Sequence, residues 1–402
     1  MTCLNIMKES LEIDEIITYF QPIISIEKKQ IIGYECLARG ISNKEIISPI
    51  ELLDYAYKKG FTISLDRSFR EKAIQTISKI NTANFNNLFF INIDVSILDK
   101  VIGSNHIINN IKKNKIDPES IVLEINESKI EKTKDLITFV EKYKEYGFII
   151  ALDDVGKGFS NINRIPMLMP DIIKIDLELI RNIHKNFYKQ EVVKSITNLS
   201  RKIGSLVIAE GVESKEELVC ILKFGVDLIQ GYYFSKPDKS IRWIESNTLS
   251  NINQAADIYK KCLKERIKKE IHKKNYYINI VNDIIKLIKN KTGKSNHVLG
   301  KLVHNYKDVE GVYLLNNEGI QISNTFINKN INYKKNHIFH GARKKTDHSL
   351  KKYVYILRNS ENNHYVTQPY ISKATGNLCI TISKYFKNNS EEKLILCVDF
   401  KL

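Results

Sequence analysis

The sequence lacks several features that would assign it to familiar protein classes. Its apolar runs are short and interrupted by charge, so no segment predicts a membrane span. Residues 1–16 carry four acidic residues and no unbroken apolar core, which is not typical of a secretory signal. The six cysteines form no Cys-x-x-Cys pair and follow no regular spacing. We therefore expect reduced thiols in a cytoplasmic protein, not a disulfide framework.

Positive charge is confined to one part of the chain. Residues 1–250 hold 34 Lys+Arg and 34 Asp+Glu, whereas residues 251–402 hold 28 and 12. The whole net charge of +16 therefore lies in the last part of the 402-residue chain. This shift predicts a domain boundary near residue 250, and an acidic partner is to be considered for the C-terminal part alone.

Apolar runs alternate with amphipathic helical stretches over the first 234 residues. The runs that indicate strands are 18–26, 31–37, 87–94, 120–126, 148–155, 171–176, 205–212 and 227–234. This alternation predicts a parallel sheet, and the number of strands favours a closed (β/α)8 barrel of the TIM-like type. Pro22 in the first run indicates an edge or entry strand.

The pattern changes after residue 250. Residues 252–289 predict one or two long basic helices, and β-type runs follow at 309–324, 351–360, 364–386 and 393–400. These runs predict an antiparallel α+β module. The expected domains are a barrel over residues 1–248, a basic helical linker over 249–290 and an α+β domain over 291–402.

Polar side chains stand at the ends of the predicted barrel strands. The set comprises four carboxylates and one amide, namely Glu35, Asn92, Glu124, Asp153 and Asp154. Oxygen ligands without His or Cys suit hard divalent cations such as Mg²⁺, Mn²⁺ or Ca²⁺. Two adjacent aspartates at a strand end let one bridge two ions while the other binds the second. Two such ions about 3.5–4 Å apart are suited to attack on a phosphodiester.

Two cationic residues suit the same chemistry. Lys174, at a later strand end, can orient or help to deprotonate a water molecule, and Arg39 is suited to contact a phosphate. Any one of these polar residues alone is more often a surface group or an ion-pair partner. Their recurrence at successive strand ends is what indicates a site.

Eight segments of the chain resemble, in order and spacing, the motifs of the EAL-domain cyclic-di-GMP phosphodiesterases. They are FQPIIS (20–25), YECLARG (34–40), FINID (90–94), LEINE (123–127), ALDDVGKGFSN (151–161), PDIIKID (170–176), IAEGVE (208–213) and IQGYYFSKP (229–237). The resemblance covers about residues 10–245. It implies a barrel that hydrolyses cyclic-di-GMP to linear 5'-pGpG with two Mg²⁺ or Mn²⁺ ions, and that Ca²⁺ inhibits.

The resemblance also assigns roles by position. Glu35, Asn92, Glu124 and Asp153 would hold the first ion. Asp153 would bridge to the second ion, which Asp154 would bind with help from Glu210. The catalytic residues would be Glu35, Lys174, Glu210 and Asp154, with Lys174 positioning the attacking water. The residues implied to hold the ligands in place are Glu127, Glu213 and Gln230. The implied substrate contacts are Gln21, Leu37 and Arg39.

Three positions depart from the family pattern. Cys36 replaces the usual alanine, and we expect it to pack away from Glu35. Val155 stands where a bulky aromatic residue is usual, and Asn161 where serine is common. Both lie in the region that resembles a loop of the family, which couples the dimer interface to the metal site. We therefore expect these two departures to affect the turnover rate and its regulation more than metal binding. That loop, residues 156–161, implies a homodimer formed through the barrel. No GG(D/E)EF-like motif is present.

The C-terminal part resembles the PAS/Cache-like sensors that follow the barrel in some EAL proteins. The resemblance rests on QPYISKATGNLCITISK (368–384) and implies a regulatory domain with an unknown small ligand. The alternative is a hairpin domain used only for dimerisation. Tyr276 and Tyr277 are too few aromatics for a specific nucleic-acid surface on the basic helix.

Two other functions stay open. The first is a cyclic-di-GMP receptor that turns its ligand over slowly or not at all. The second is a sensor of a membrane surface or an acidic ligand, in which the barrel only signals. The first alternative rests on Val155, and the second rests on the positive charge of residues 251–402.

Overall fold

The protein is described by a computed structural model for residues 13–80, 87–93, 105–126, 133–158, 163–289, 295–332, 338–359 and 363–402. The chain divides into two compact units, Met1–Lys264 and Glu265–Leu402. Among the residues in these ranges, no helix is both long and apolar enough to cross a membrane.

The first unit is a closed eight-stranded barrel with helices around it. The wall consists of β1 (Glu15–Ser25), β2 (Gln30–Ser42), β4 (Leu88–Ile93), β5 (Ile121–Asn126), β6 (Ile149–Val155), β7 (Ile172–Ile175), β8 (Leu206–Ala209) and β9 (Leu228–Ile229). The short strand β3 (Glu45–Ile47) pairs with β2 outside the ring. The predicted barrel is therefore confirmed.

One strand of the barrel runs against the others. β1 pairs antiparallel with β2 and with β9, whereas the successive pairs from β2 to β9 are parallel. The turn between β1 and β2 is too short for a crossover, so the two strands form a hairpin. Pro22 is tolerated because the β1–β9 ladder is the single pair Ile24 and Ile229. The N–H of Phe20 donates to Asp238 on the side away from β2, and the nitrogen of Pro22, two positions further on, lies on that same side. The missing N–H of Pro22 therefore costs no hydrogen bond of the β1–β2 ladder either.

Helices connect the strands and end where the sequence provides caps. They are α1 (Pro49–Lys59), α2 (Thr62–Ile80), α3 (His106–Lys113), α4 (Thr133–Glu145), α5 (Arg164–Leu168), α6 (Leu177–Ile180), α7 (Phe187–Ile203), α8 (Lys215–Lys223) and α9 (Ile241–Lys289). Ser48 and Glu51 form a capping box at the start of α1, and Gly60 ends that helix with a positive φ. The two caps therefore set the start and the end of α1.

The second unit is built on an antiparallel sheet. Its strands are β10 (Val309–Asn316), β11 (Phe326–Ile327), β12 (His364–Val366), β13 (Tyr370–Ile371), β14 (Leu378–Lys387) and β15 (Lys393–Lys401), and its short helices are α10 (Ser295–Leu302) and α11 (Lys352–Asn359). The strand order is β11-β10-β15-β14-β12, with β13 beside β14. One face of the sheet packs on α9 through Tyr277, Val281 and Ile284.

Two predicted strands differ in the structure. Residues 351–360 have the β-branched and aromatic composition of a strand, but they form α11. Tyr353, Val354 and Leu357 lie on one helical face and are buried, so their spacing outweighs their β propensity. The predicted strand 227–234 ends at Ile229, because Gly231 lies against the backbone of Val212 and the chain turns there.

Candidate active site

The candidate site is the second of two layers inside the barrel. The first layer is apolar and consists of Ile23, Phe90, Val122, Ala151, Ile172, Ile208 and Leu228. Side chains two residues apart on a strand point to the same face. Two positions beyond these residues along the parallel strands stand Asn92, Glu124, Asp153, Lys174, Glu210 and Gln230. The strand period therefore turns the polar residues into the same interior, at the carboxyl ends of the parallel strands.

Lys174 lies at the centre of this polar layer and is buried with 1% exposure. Its Nζ lies 2.5 Å from Glu124 Oε1 and 2.6 Å from Glu210 Oε1. The same atom lies 3.3 Å from Asp153 Oδ1 and 3.8 Å from Glu35 Oε2. One ammonium group thus faces four carboxylates, which come from four different strands or strand ends.

Burial shifts the pKa values of this cluster. It raises the pKa of Glu124 well above the usual range, although Lys174 opposes the shift. Burial likewise raises the pKa of Glu210 to about 8, again against the effect of Lys174. Burial alone would lower the pKa of Lys174, but the four surrounding carboxylates hold it well above its ordinary value. Lys174 is therefore an ammonium group.

A chain of hydrogen bonds fixes Glu35 at the rim of the cluster. Asn92 Nδ2 donates to Glu35 Oε1 at 3.2 Å, and Gln230 Nε2 donates to Glu35 Oε2. Gln230 Nε2 also donates to Gln21 Oε1 at 3.0 Å, and Gln21 Nε2 donates to the carbonyl oxygen of Ser235. Strands β1, β2, β4 and the end of β9 are thereby joined through side chains.

The end of β6 presents the two adjacent aspartates. Asp154 has a φ of 57°, in the left-handed region that non-glycine residues seldom adopt. This conformation breaks the alternation of the strand, so carboxylate oxygens of Asp153, Asp154 and Glu210 lie within 4.8 Å of one another. Asp154 accepts a hydrogen bond from Asn126 Nδ2 and contacts Lys157 Nζ.

The residues present fit divalent cations. The donors are carboxylate and amide oxygens, which are the ligands that Mg²⁺ and Mn²⁺ prefer. Glu124 is fully buried, and its Oε2 has no hydrogen-bond partner among the residues that the structure describes. Burial raises the pKa values of Glu124 and Glu210, so it disfavours their ionised forms, and a bound cation would stabilise those forms.

Several predicted site residues stand apart from this network. Within the described ranges, neither Leu37 nor the exposed side chain of Glu213 makes a hydrogen bond or an ion pair with the polar layer around Lys174 and Glu35. Arg39 lies two strand positions beyond Leu37, and its Nη1 donates to the carbonyl oxygen of Ala38 at 2.7 Å. Its guanidinium lies 5.6 Å from the centre of the Tyr19 ring. Glu127, Asn161 and loop residues 159–161 lie outside the described residues.

Cys36 lies outside the polar layer, whereas two residues that the sequence analysis did not single out contact Asp154 beside it. Cys36 packs in the apolar cluster between barrel and helices, on the face opposite Glu35, and burial raises its pKa well above the usual value. Asn126 and Lys157, which both contact Asp154, were not expected. Asn126 belongs to the segment LEINE, where its position at a strand end was the available signal.

A profile of the EAL domain family matches residues 4–237. The chain therefore belongs to the EAL domain family. Its relatives include the EAL-domain-containing protein YkuI of Bacillus subtilis, 27% identical over 320 residues, or 77% of each chain. Cyclic di-GMP phosphodiesterase PdeF of Escherichia coli is 28% identical over 255 residues, 63% of this chain and 34% of PdeF. The chain thus spans about a third of the length of that relative.

Solved structures with the same fold carry a common ligand. The structure of Bacillus subtilis YkuI in complex with cyclic-di-GMP and calcium superposes with a TM-score of 0.79 at 24% identity and covers 100% of both chains. A standalone EAL protein of Vibrio cholerae, in its cyclic-di-GMP-bound form, superposes with a TM-score of 0.51 at 31% identity. It covers 57% of this chain and 95% of that one.

Proposed function

We propose that this protein is a metal-dependent phosphodiesterase that hydrolyses cyclic-di-GMP to linear 5'-pGpG. The observation that supports this proposal most strongly is the buried cluster of four carboxylates around Lys174, with Asp154 beside it. The chain belongs to the EAL domain family, and its relative PdeF is named for this activity.

The metal ligands in this proposal are the strand-end residues. Glu35, Asn92, Glu124 and Asp153 hold one ion, and Asp153, Asp154 and Glu210 hold the other. Two Mg²⁺ or Mn²⁺ ions would activate a water molecule and stabilise the charge on the phosphate. Lys174 donates hydrogen bonds that orient the attacking water, because an ammonium group has no free base to accept its proton. Gln230 keeps Glu35 in place through its hydrogen bond. The family resemblance assigns the same kind of role to Glu127 and Glu213, but among the described residues no hydrogen bond or ion pair joins Glu213 to the ligands.

The substrate is an anion with two phosphodiester groups, and the chain's own residues supply its contacts. Arg39 is fixed over the Tyr19 ring at the end of β2 and contacts a phosphate oxygen. Gln21, which is buried and hydrogen-bonded to Gln230, and Leu37 contact the remainder of the ligand. Water adds to one phosphorus while the bond to the ribose 3' oxygen breaks, and that oxygen takes up a proton.

The proposal is tested by incubating the purified chain with cyclic-di-GMP and separating the products by chromatography. We expect 5'-pGpG with Mg²⁺ or Mn²⁺, little product with Ca²⁺ and none with a chelator. Glu35→Gln should lose at least a hundredfold in kcat, by analogy with the loss of a group that stabilises the transition state. Glu45→Gln, an exposed acid on β3, should retain full activity. Hydrolysis by Glu35→Gln at the wild-type rate would contradict the proposal.

A second candidate is a cyclic-di-GMP receptor with slow turnover. It is favoured by Val155, a small buried side chain at the end of β6, and by the contact of Lys157 with Asp154. Tight binding of cyclic-di-GMP in calorimetry, with no product after prolonged incubation in Mn²⁺, would support the receptor. Rapid hydrolysis would exclude it.

We also propose a regulatory function for the second unit, together with homodimerisation through the barrel and a cytoplasmic location. The second unit is a separate antiparallel sheet domain with its own hydrophobic core. Its likeness to PAS/Cache sensors stays a prediction. A screen of small molecules that changes the hydrolysis rate of the full chain, but not its rate without residues 265–402, would support this function.

A further inference from the structure

A cation of the chain itself contacts the carboxylate that is expected to bind the second ion. Lys157 Nζ lies 3.3 Å from Asp154 Oδ1 and 3.4 Å from Asp154 Oδ2. Asn126 Nδ2 donates to Oδ2 from the neighbouring strand end. Both oxygens of Asp154 therefore have partners from the chain.

The local backbone directs Lys157 toward this carboxylate. The backbone N–H of Lys157 donates to the carbonyl oxygen of Asp154 at 3.2 Å, which closes a turn directly after β6. Asp154, Gly156 and Gly158 in this turn have positive φ angles. A residue three positions after Asp154 is thus turned back over it, and its ammonium group reaches the carboxylate.

The contact between Lys157 and Asp154 can be broken at small energetic cost. The Lys157 side chain is 52% exposed, whereas that of Asp154 is 17% exposed. An ion pair with one partner in solvent contributes little stability, because water and salt compete for the charges. Lys157 can therefore move into solvent at small cost. Asp153 on β6 and Glu210 directly after β8 complete the candidate site for the second ion.

We propose that Lys157 is a tethered cation that competes with the second divalent ion for Asp154. This inference rests on the two-ion function proposed above. Lys157 Nζ lies against both oxygens of Asp154, where it would repel an incoming divalent cation, so we expect the second ion to displace the exposed Lys157. The ligands of the first ion are Glu35, Asn92, Glu124 and Asp153, and none of them contacts Lys157. Lys157 therefore lowers the affinity of the second ion, which fills at a higher divalent concentration than it would without Lys157.

The test is a titration with Mn²⁺ alone, in which the free ion is measured by electron paramagnetic resonance. Wild type, Lys157→Gln and Lys194→Gln are compared. Lys194 pairs with Glu191 at the same three-residue spacing on α7, outside the site, and is a matched control. For Lys157→Gln we expect the weaker Mn²⁺ to bind roughly three- to tenfold more tightly, with the tighter one unchanged. Lys194→Gln should bind like wild type.

The opposite outcomes overturn the proposal. An unchanged affinity for the weaker ion in Lys157→Gln would show that Lys157 does not compete, and a reduced affinity would show that it supports the site. Asp154→Asn provides a second test, since it should weaken the second ion and abolish the effect of Lys157→Gln in the double variant. An effect that persists in the double variant contradicts competition at Asp154.

The measurement separates this inference from the proposed function. If wild type binds two ions and hydrolyses cyclic-di-GMP while Lys157→Gln binds both as wild type does, only the competition is wrong. If wild type binds no Mn²⁺ and forms no product, the two-ion function is wrong, and the competition fails with it. Circular dichroism of each variant without metal confirms that it is folded.

Discussion

The charge of Lys174 bears both on the stability of the barrel and on the proposed reaction. In the metal-free protein it is the ammonium group that partly neutralises four buried or half-buried carboxylates, at distances of 2.5 to 3.8 Å. In the proposed reaction the same ammonium group orients water. A single side chain therefore links the stability of the empty site to the chemistry of the loaded one.

Removal of this charge should destabilise the metal-free protein. We expect Lys174→Met to lower the free energy of unfolding by about 3–5 kcal/mol, because it leaves buried carboxylates without their cation. Urea unfolding in the presence of a chelator measures the change. Lys202→Met, at an exposed position on α7, should change stability by less than about 0.5 kcal/mol. Equal stabilities of the two variants would contradict the arrangement around Lys174.

A buried acid in the second unit should make stability depend on pH. Asp399 accepts a hydrogen bond from Thr381 Oγ1 at 2.6 Å, and burial raises its pKa to about 7. A raised pKa means that the folded state favours the protonated acid. Its contribution to stability is therefore present below the unfolded pKa of about 4 and is lost as pH rises through about 7.

Asp399→Asn isolates this effect, because its amide oxygen can still accept from Thr381. Between pH 5 and pH 8 the wild type should lose on the order of 2–4 kcal/mol more stability than Asp399→Asn. Urea unfolding of both chains at the two pH values, monitored on the second unit, gives the comparison. Parallel losses in the two proteins would show that Asp399 is not the group responsible.

At the scale of elements, the barrel strands explain why much of the site was predictable. A candidate site residue stands two positions beyond an apolar one on the same strand, as in Phe90 and Asn92 or Val122 and Glu124. Strand period and apolar runs are visible in sequence, so the carboxylate cluster could be inferred. The direction of β1 follows from a short hairpin connection, and the pattern of apolar runs does not reveal it.

Other features depend on information that the sequence pattern does not carry. The contact between Lys157 and Asp154 requires a left-handed Asp154, and local sequence does not specify that conformation. Helix α11 was expected as strand because Tyr353 and Val354 favour strands in isolation, whereas the tertiary packing of its buried face decides. Tertiary contacts therefore override local preference at both places.

The end of β9 depends on a glycine. A Cβ at Gly231 would lie 2.1 Å from the carbonyl oxygen of Val212 and 2.3 Å from its nitrogen. We expect Gly231→Ala to destabilise the protein by about 3 kcal/mol or more, because backbone atoms must shift. Gln230, its neighbour, would move from Glu35, so hydrolysis should fall as well.

Gly204 provides the control for this substitution. Its φ is 83° and a Cβ there meets nothing within 4 Å, so Gly204→Ala should cost about 1–2 kcal/mol from backbone conformation alone. Its kcat should equal that of wild type. Thermal unfolding together with the hydrolysis rate separates the two variants, and a normal kcat in Gly231→Ala would show that β9 does not position Gln230.

At the scale of the whole molecule, the chain consists of a barrel unit with a net charge of only +2 and a basic second unit with a net charge of +14. The barrel unit exposes large apolar side chains on α7, among them Phe187, Tyr188 and Val192. Contiguous apolar groups on a surface are typical of an interface. They are consistent with the proposed homodimer.

The oligomeric state can be measured directly. Light scattering after size exclusion at micromolar concentration should give twice the chain mass of 46.6 kDa. We expect the mass to be the same in the presence and absence of Mn²⁺, because apolar surface, and not the metal site, would hold the dimer together. A mass equal to one chain at every concentration would contradict dimerisation.

The most direct test of the proposed enzyme is the metal-dependent conversion of cyclic-di-GMP by the purified full chain. We expect stoichiometric formation of 5'-pGpG with Mn²⁺ or Mg²⁺, and its loss in Glu35→Gln with normal folding. The absence of product from well-folded, metal-loaded wild type, under conditions in which cyclic-di-GMP binds, would contradict hydrolysis and leave a receptor.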